Sequence, residues 1–147
     1  MLQQALALIF ERDLNKLKEE INLYKDEQHL WKLDKNISNS AGNLTLHLIG
    51  NLNHFIGAVL GNTGYVRERD KEFTEKNIPR EKMLADIDDV LSVVKNTLLS
   101  LPDAILNKPF PEKKQGQEYP TTFILMHLLA HLEYHLGQIN YHRRLLD

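Results

Sequence analysis

The sequence predicts an all-α fold, a four-helix bundle in up-down-down-up order. Three observations lead there. Four segments repeat apolar residues by three and four, the period of an amphipathic helix. Strand signals are weak throughout, and no glycine-rich phosphate loop or internal repeat interrupts the pattern. One connection, between the second and third helical segments, runs about 18 residues, where antiparallel neighbours need only roughly 2–8.

The first helix is expected from about Leu2 to Tyr24. Leu6, Phe10, Leu14, Leu17, Ile21 and Tyr24 form its apolar stripe, and "RDLNKLKEE" supplies a solvated face. The second is expected from about Asn43 to Leu60, capped by Asn39 or Ser40. Its stripe is Leu44, Leu48, Leu52, Phe55 and Val59. Gly50 and Gly57 lie on one face of it. Each costs about 1 kcal/mol relative to alanine in a helix, so close helix packing is the expected reason for them.

The third helix is expected from about Pro79 to Leu101. Proline suits a first turn and Glu81 suits the positive end of the helix dipole. Leu84, Ile87, Leu91, Val94 and Leu98 form the stripe, and Pro102 ends it. The fourth is expected from about Thr121 to Leu145, with Arg143 and Arg144 at its negative end. It is apolar over most of its circumference through Leu136, which predicts a central, buried helix. "PFPEKKQGQEYP" reads as a loop.

The connection from Gly61 to Ile78 permits this topology without fixing it, since the other two connections are also long. A helix of 18 residues is about 27 Å long, and the extended linker reaches about 60 Å. It can therefore run back along the whole bundle. That permits parallel second and third helices.

The chain as a whole excludes several functions. Its 147 residues fit one domain, 1–147. With no cysteine, it has neither disulfides nor zinc–thiolate sites, and any metal must be held by nitrogen and oxygen. "MLQQALALIFERD" lacks a basic n-region and a cleavage site, so a cytoplasmic protein is expected. No apolar run approaches the roughly 20 residues that span a bilayer. The net charge is −2, from 18 basic and 20 acidic residues, without a dense basic block. Nucleic acid is not an expected partner.

The chemistry is concentrated in "HLLAHLEYH", residues 127–135. His127, His131 and His135 lie on one strip of the fourth helix, drifting by only about 40° per step. Gln138 and His142 continue that strip. Neighbours at i and i+4 have β-carbons roughly 6 Å apart, so two imidazoles can share a metal at about 2.0–2.1 Å from each nitrogen. Three cannot easily do so, because the outer pair lie about 12 Å apart along the axis. A further ligand must come from another helix. The second helix offers His47 and His54 in "LTLHLIGNLNHFIG". In the up-down-down-up order its start lies beside the later part of the fourth helix, which pairs His47 with His131 and His135. Three imidazoles with an open position characterise catalytic rather than structural zinc sites.

The plainer alternative is that these are hydrogen-bonded core histidines, since HxxxH also occurs by chance. No HExxH is present, so a metalloprotease signature is lacking. No acidic residue flanks the pair as a base; Glu133 is expected in a salt bridge or in solvent. Gln138 is placed to orient a ligand or bind substrate; His54 reads first as a packed surface histidine, with support of the site as the alternative. His127 and His142 are expected to stand outside it.

"HLLAHLEYHLGQI" resembles the final-helix motif of the DinB/YfiT-like superfamily, two histidines four apart followed by Gly-Gln. "LTLHLIGNLNHFIG" resembles that family's second-helix motif, and "GNTGYVRERDKEF" the linker of an uncharacterised branch. The resemblance covers essentially the whole chain. It implies a four-helix bundle, commonly a homodimer, with a divalent metal, zinc or nickel in many members. Its ligands would fall on His47, His131 and His135. It also implies transfer of a low-molecular-weight thiol, such as mycothiol, bacillithiol or glutathione, to an electrophile. The alternatives are a metal-dependent hydrolase and a non-catalytic bundle with a structural or vestigial metal site.

Overall fold

A computed structural model describes residues 1–147. It is helical, with no β-strand and six α-helices. These are α1 (Leu2–Leu23), α2 (Ala41–Leu52), α3 (Arg69–Thr74), α4 (Arg80–Ser100), α5 (Asp103–Leu106) and α6 (Thr121–Leu146). A 3-10 turn, Glu27–Trp31, follows α1, and α2 continues as a π-helical stretch, Asn53–Leu60. The four expected helices are present. The second begins two residues before the expected Asn43, with Ser40 as its cap, the serine hydroxyl accepting from the Asn43 backbone N–H at 3.1 Å.

Side-chain pairs set the run of the long helices. Gln3 donates to the Leu101 carbonyl, Lys95 to Glu11, Lys18 to Asp88 and Arg80 to the Tyr24 carbonyl, so α4 descends as α1 ascends. Arg12 pairs with Glu133 and Glu20 with Arg143, so α6 runs with α1. Gly57 lies against Val93, and Gly61 against Thr97.

The apolar stripes meet in one core. Leu6, Phe10, Leu14, Leu17 and Ile21 of α1 are buried as the period demands. On α4 the buried set is Met83, Ile87, Val90, Val94 and Leu98, while Leu84 and Leu91 are only partly buried. The face keeps Ile87, Val94 and Leu98 and is turned by only about 40° from the expected stripe. On α6 the expectation of burial all round fails. Ile124, Leu125, Leu128, Leu132, Leu136 and Ile139 are buried, but Phe123 and Met126 are about half exposed, at 45% and 51%. Helix α6 packs against α1 and α2, and its outer face has nothing over it.

Two connections hold more structure than expected. The 61–78 segment contains α3, docked on the start of α2: the Asn43 amide donates to the carbonyls of Glu72 and Glu75 at 2.8 and 2.9 Å. The stretch 109–120 folds back as a hairpin, with bridges at Pro109–Pro120 and Lys114–Gln117. Gln115 and Gly116 both take positive φ, 51° and 77°, as a type I′ turn requires.

Below α1, His142 is buried between Tyr24 and the Lys32 carbonyl. The carbonyl can only accept, so Nε2 carries the hydrogen at 2.9 Å, and Nδ1 accepts from the Tyr24 hydroxyl at 2.6 Å. Burial holds this imidazole below its usual pKa.

Candidate metal centre

His47 is on the second turn of α2; His131 and His135 are one turn apart on α6. Apolar neighbours on both helices bury these faces against each other, which brings the three rings together. His131 Nε2 lies 3.1 Å from His47 Nε2 and 3.1 Å from His135 Nε2. One nitrogen from each ring falls within 4.8 Å of the others, so the cluster could hold a metal ion. Two ligands on a tetrahedral centre with metal–nitrogen bonds of about 2.1 Å stand about 3.4 Å apart. The observed spacings are close to that.

The outer nitrogens decide the protonation. His47 Nδ1 faces the Glu72 carboxylate at 2.9 Å. A carboxylate only accepts, so Nδ1 carries the hydrogen and Nε2 is bare. His135 Nδ1 donates in the same way to Gln138 Oε1 at 2.7 Å. Two bare lone pairs therefore converge on His131 Nε2. His131 Nδ1 is buried with no hydrogen-bond partner, so nothing pins the proton on that ring. A proton on its Nε2 can satisfy only one of the two acceptors. The cluster has more lone pairs than protons, and a divalent cation corrects that imbalance.

Burial disfavours charge on the two rings of α6. It pushes His131 down to about 3, reinforced by His135 and His47, and it lowers His135 against the opposing pull of Gln138. The Glu72 carboxyl is the counter-case. Burial alone would raise it, but hydrogen bonds from His47 and Arg67 outweigh that and hold it below its ordinary value. Arg67 grips both its oxygens at 2.9 Å.

Glu72 and Arg67 are the residues that sequence reasoning missed. No carboxylate flanks the histidines on their own helices; the one that reaches them comes from the linker. Gly50 carries the trace of it. Any β-carbon there would collide with the Glu72 carboxylate. The expectation of helix packing holds at Gly57, against Val93 and Thr63, but at Gly50 the neighbour is this side chain.

The remaining candidates are placed as follows. Gln138 touches His135, as above. His54 bonds the Glu112 carboxylate at 3.1 Å and touches none of the three rings. His127 stands outside the cluster, stacked on Phe123. Glu133 forms its salt bridge, with Arg12.

The centre opens on two clefts. One, of about 650 Å³, is bounded by His135, Gln138, Leu44, Tyr134, Tyr141 and residues 34–39. The other, of about 270 Å³, is bounded by His47, His131, Asn51, Phe55 and several cationic side chains.

Fold and site together define an all-helical protein with a half-buried three-histidine cluster that could hold a metal. Residues 4–147 match the family described as "Protein of unknown function (DUF1572)", and the chain belongs to that family. No curated protein matches it.

Proposed function

We propose that this chain is a metal-dependent enzyme of DinB/YfiT-like type that transfers a low-molecular-weight thiol to an electrophile. In this reading residues 1–147 form one domain, a four-helix bundle in up-down-down-up order. The opposed run of α1 and α4 and the shared run of α1 and α6 support that order. A divalent ion, zinc or nickel, is held by His47, His131 and His135. The observation that carries the reading is the convergence of bare Nε2 atoms in a cluster with too few protons.

A bound divalent ion would supply a positive centre at which an incoming thiol gives up its proton. The chain's own residues do the rest. Glu72 and Gln138 fix the tautomers of His47 and His135 and so aim both Nε2 atoms. Arg67 clamps Glu72, so the carboxylate cannot swing away. Burial disfavours protonation of His131 and His135, which keeps competing positive charge off those two rings. The absence of cysteine is no obstacle, because the cosubstrate brings the sulfur. Two clefts give separate approaches for thiol and electrophile. The new sulfur–carbon bond forms as the electrophile's leaving group departs with its electron pair.

We place the protein in the cytoplasm as a homodimer. No helix is long and apolar enough to cross a membrane. The exposed strip of Phe123, Met126, Tyr134 and Tyr141 on α6 suits a second copy. Hydrolysis is the weaker alternative, since it needs a free carboxylate base and Glu72 is already bound on both oxygens.

Metal analysis of purified protein, followed by cobalt loading and titration with glutathione, cysteine, coenzyme A and bacillithiol, tests this. One thiol should produce a sulfur-to-metal charge-transfer band and react faster with a simple electrophile, and His135→Ala should abolish both. If none of the four does so, the thiol reading falls and a non-catalytic bundle takes its place.

A further inference from the structure

The smaller cleft has a wall of unbalanced positive charge. Arg69 at the start of α3 and Lys113 and Lys114 of the hairpin line it, together with Arg67. Arg67 is neutralised by Glu72. The cleft's one other carboxylate, Glu112, is taken by His54. Arg69 lies over the Phe73 ring at 5.2 Å. None of Arg69, Lys113 and Lys114 is in an ion pair, so three cations face a cleft whose floor is two of the histidines.

These lysines are not on a loose loop. The Phe110 N–H donates to the Tyr119 carbonyl at 2.8 Å and the Lys114 N–H to the Gln117 carbonyl at 2.9 Å, closing the hairpin. Phe110 is 3% exposed and anchors its base in the core.

A second observation is independent of charge. Asn51, one turn beyond His47, is 7% exposed and lines the same cleft. Its Oδ1 is buried without a hydrogen-bond partner. With that oxygen turned inward, the amide Nδ2 is the polar atom left to face the cleft, free to donate to a ligand.

We infer that this cleft is the binding site for a small molecule bearing a carboxylate or phosphate beside a hydrogen-bond acceptor. The anion sits against Arg69, Lys113 and Lys114, and the acceptor takes the hydrogen of Asn51 Nδ2. The cleft's volume of about 270 Å³ lies below the roughly 300–1,000 Å³ of drug-sized pockets, which limits the occupant to a small metabolite. The inference deepens the proposed function by naming the substrate class; it rests on that reading only for the end of the molecule that reaches the metal.

The test uses isotope-labelled, metal-free protein and nuclear magnetic resonance, with no thiol present. N-acetylglycine, glycerol phosphate and the uncharged N-acetylglycinamide are titrated in turn. At least one anion should shift the Asn51 side-chain amide and the backbone amides of residues 113–117 saturably. The uncharged amide should bind about tenfold more weakly, as should the better anion to the Lys113→Ala/Lys114→Ala double variant, and added salt should weaken binding. The tighter of the two anions identifies carboxylate or phosphate as the natural group. Equal binding of the uncharged amide, parental affinity in the double variant, or no saturable shift at these residues overturns the inference. Failure here leaves the metal and thiol experiments standing, and failure of those leaves this one standing.

Discussion

Glu72 accepts a hydrogen bond from His47 Nδ1 at 2.9 Å, and the two residues are 25 positions apart in the chain. Partners of this kind raise the basicity of a metal-binding imidazole and hold its orientation. Glu72→Gln should therefore weaken metal binding by about 10–100-fold while leaving all three imidazoles in place. Competition with a chelator of known affinity measures it. Unchanged affinity would mean that His47 needs no support from the linker.

The ligand set is separable by single substitution. His47→Ala, His131→Ala and His135→Ala should each abolish tight metal binding, and His127→Ala should leave it intact. Metal titration of the four variants decides. Stoichiometric binding retained in His47→Ala would sink the assignment across two helices.

The glycines of α2 and α6 should respond in opposite directions. At Gly50 a methyl group meets the Glu72 carboxylate, so Gly50→Ala should destabilise the protein by about 1–3 kcal/mol and weaken metal binding as well. At Gly137 nothing lies within 4 Å of an added β-carbon. Gly137→Ala should then stabilise α6 by up to about 1 kcal/mol through helix propensity. Urea unfolding of both variants checks the signs.

Acid should destabilise the metal-free protein. His131, His135 and His142 are held below the ordinary histidine pKa, first of all by burial. Above about pH 6.5 these rings are neutral in both states and their contribution is fully present. As the pH falls below that, the unfolded chain takes up protons that the folded chain refuses, so stability is lost, for His131 down to about 3. Urea midpoints should drop between about pH 7 and pH 5, and less so in His131→Gln. A flat profile would show that the rings charge freely in the fold.

Chelation should lower the melting temperature without unfolding the chain. Metal at 100 times its dissociation constant contributes about 2.7 kcal/mol, whereas the buried apolar stripes of α1, α2, α4 and α6 persist without it. Circular dichroism before and after chelation measures this. Loss of helical signal at room temperature would mean that the metal is needed for folding.

Much of this was legible in the sequence, because a helix repeats itself. Leu6 to Ile21 announce their face by period. His131 and His135 announce a pair by spacing. His47 followed once the length of the 61–78 segment allowed α2 and α4 to share a direction. Glu72 and Arg67 could not be found that way. A buried ion pair in a linker has no period, and its contact with His47 depends on where the linker crosses α2. The one local signal was Gly50, a glycine that a helix would not otherwise favour. The outer face of α6 misled for a related reason. Phe123 and Met126 look like core by composition, and only the packing shows which side of a helix lacks a neighbour.

His47 and His131 are 84 positions apart, whereas His131 and His135 are neighbours on one helix. A chain with α6 formed but α2 not yet packed on it thus has two of the three nitrogens, and the third comes only with that packing. Ions caught early would be held loosely and could be exchanged. A tight hold on an ion would need α2 against α6, with Glu72 and Arg67 in place behind His47. An ion kept through dilution would therefore report that the contact between α2 and α6 has formed.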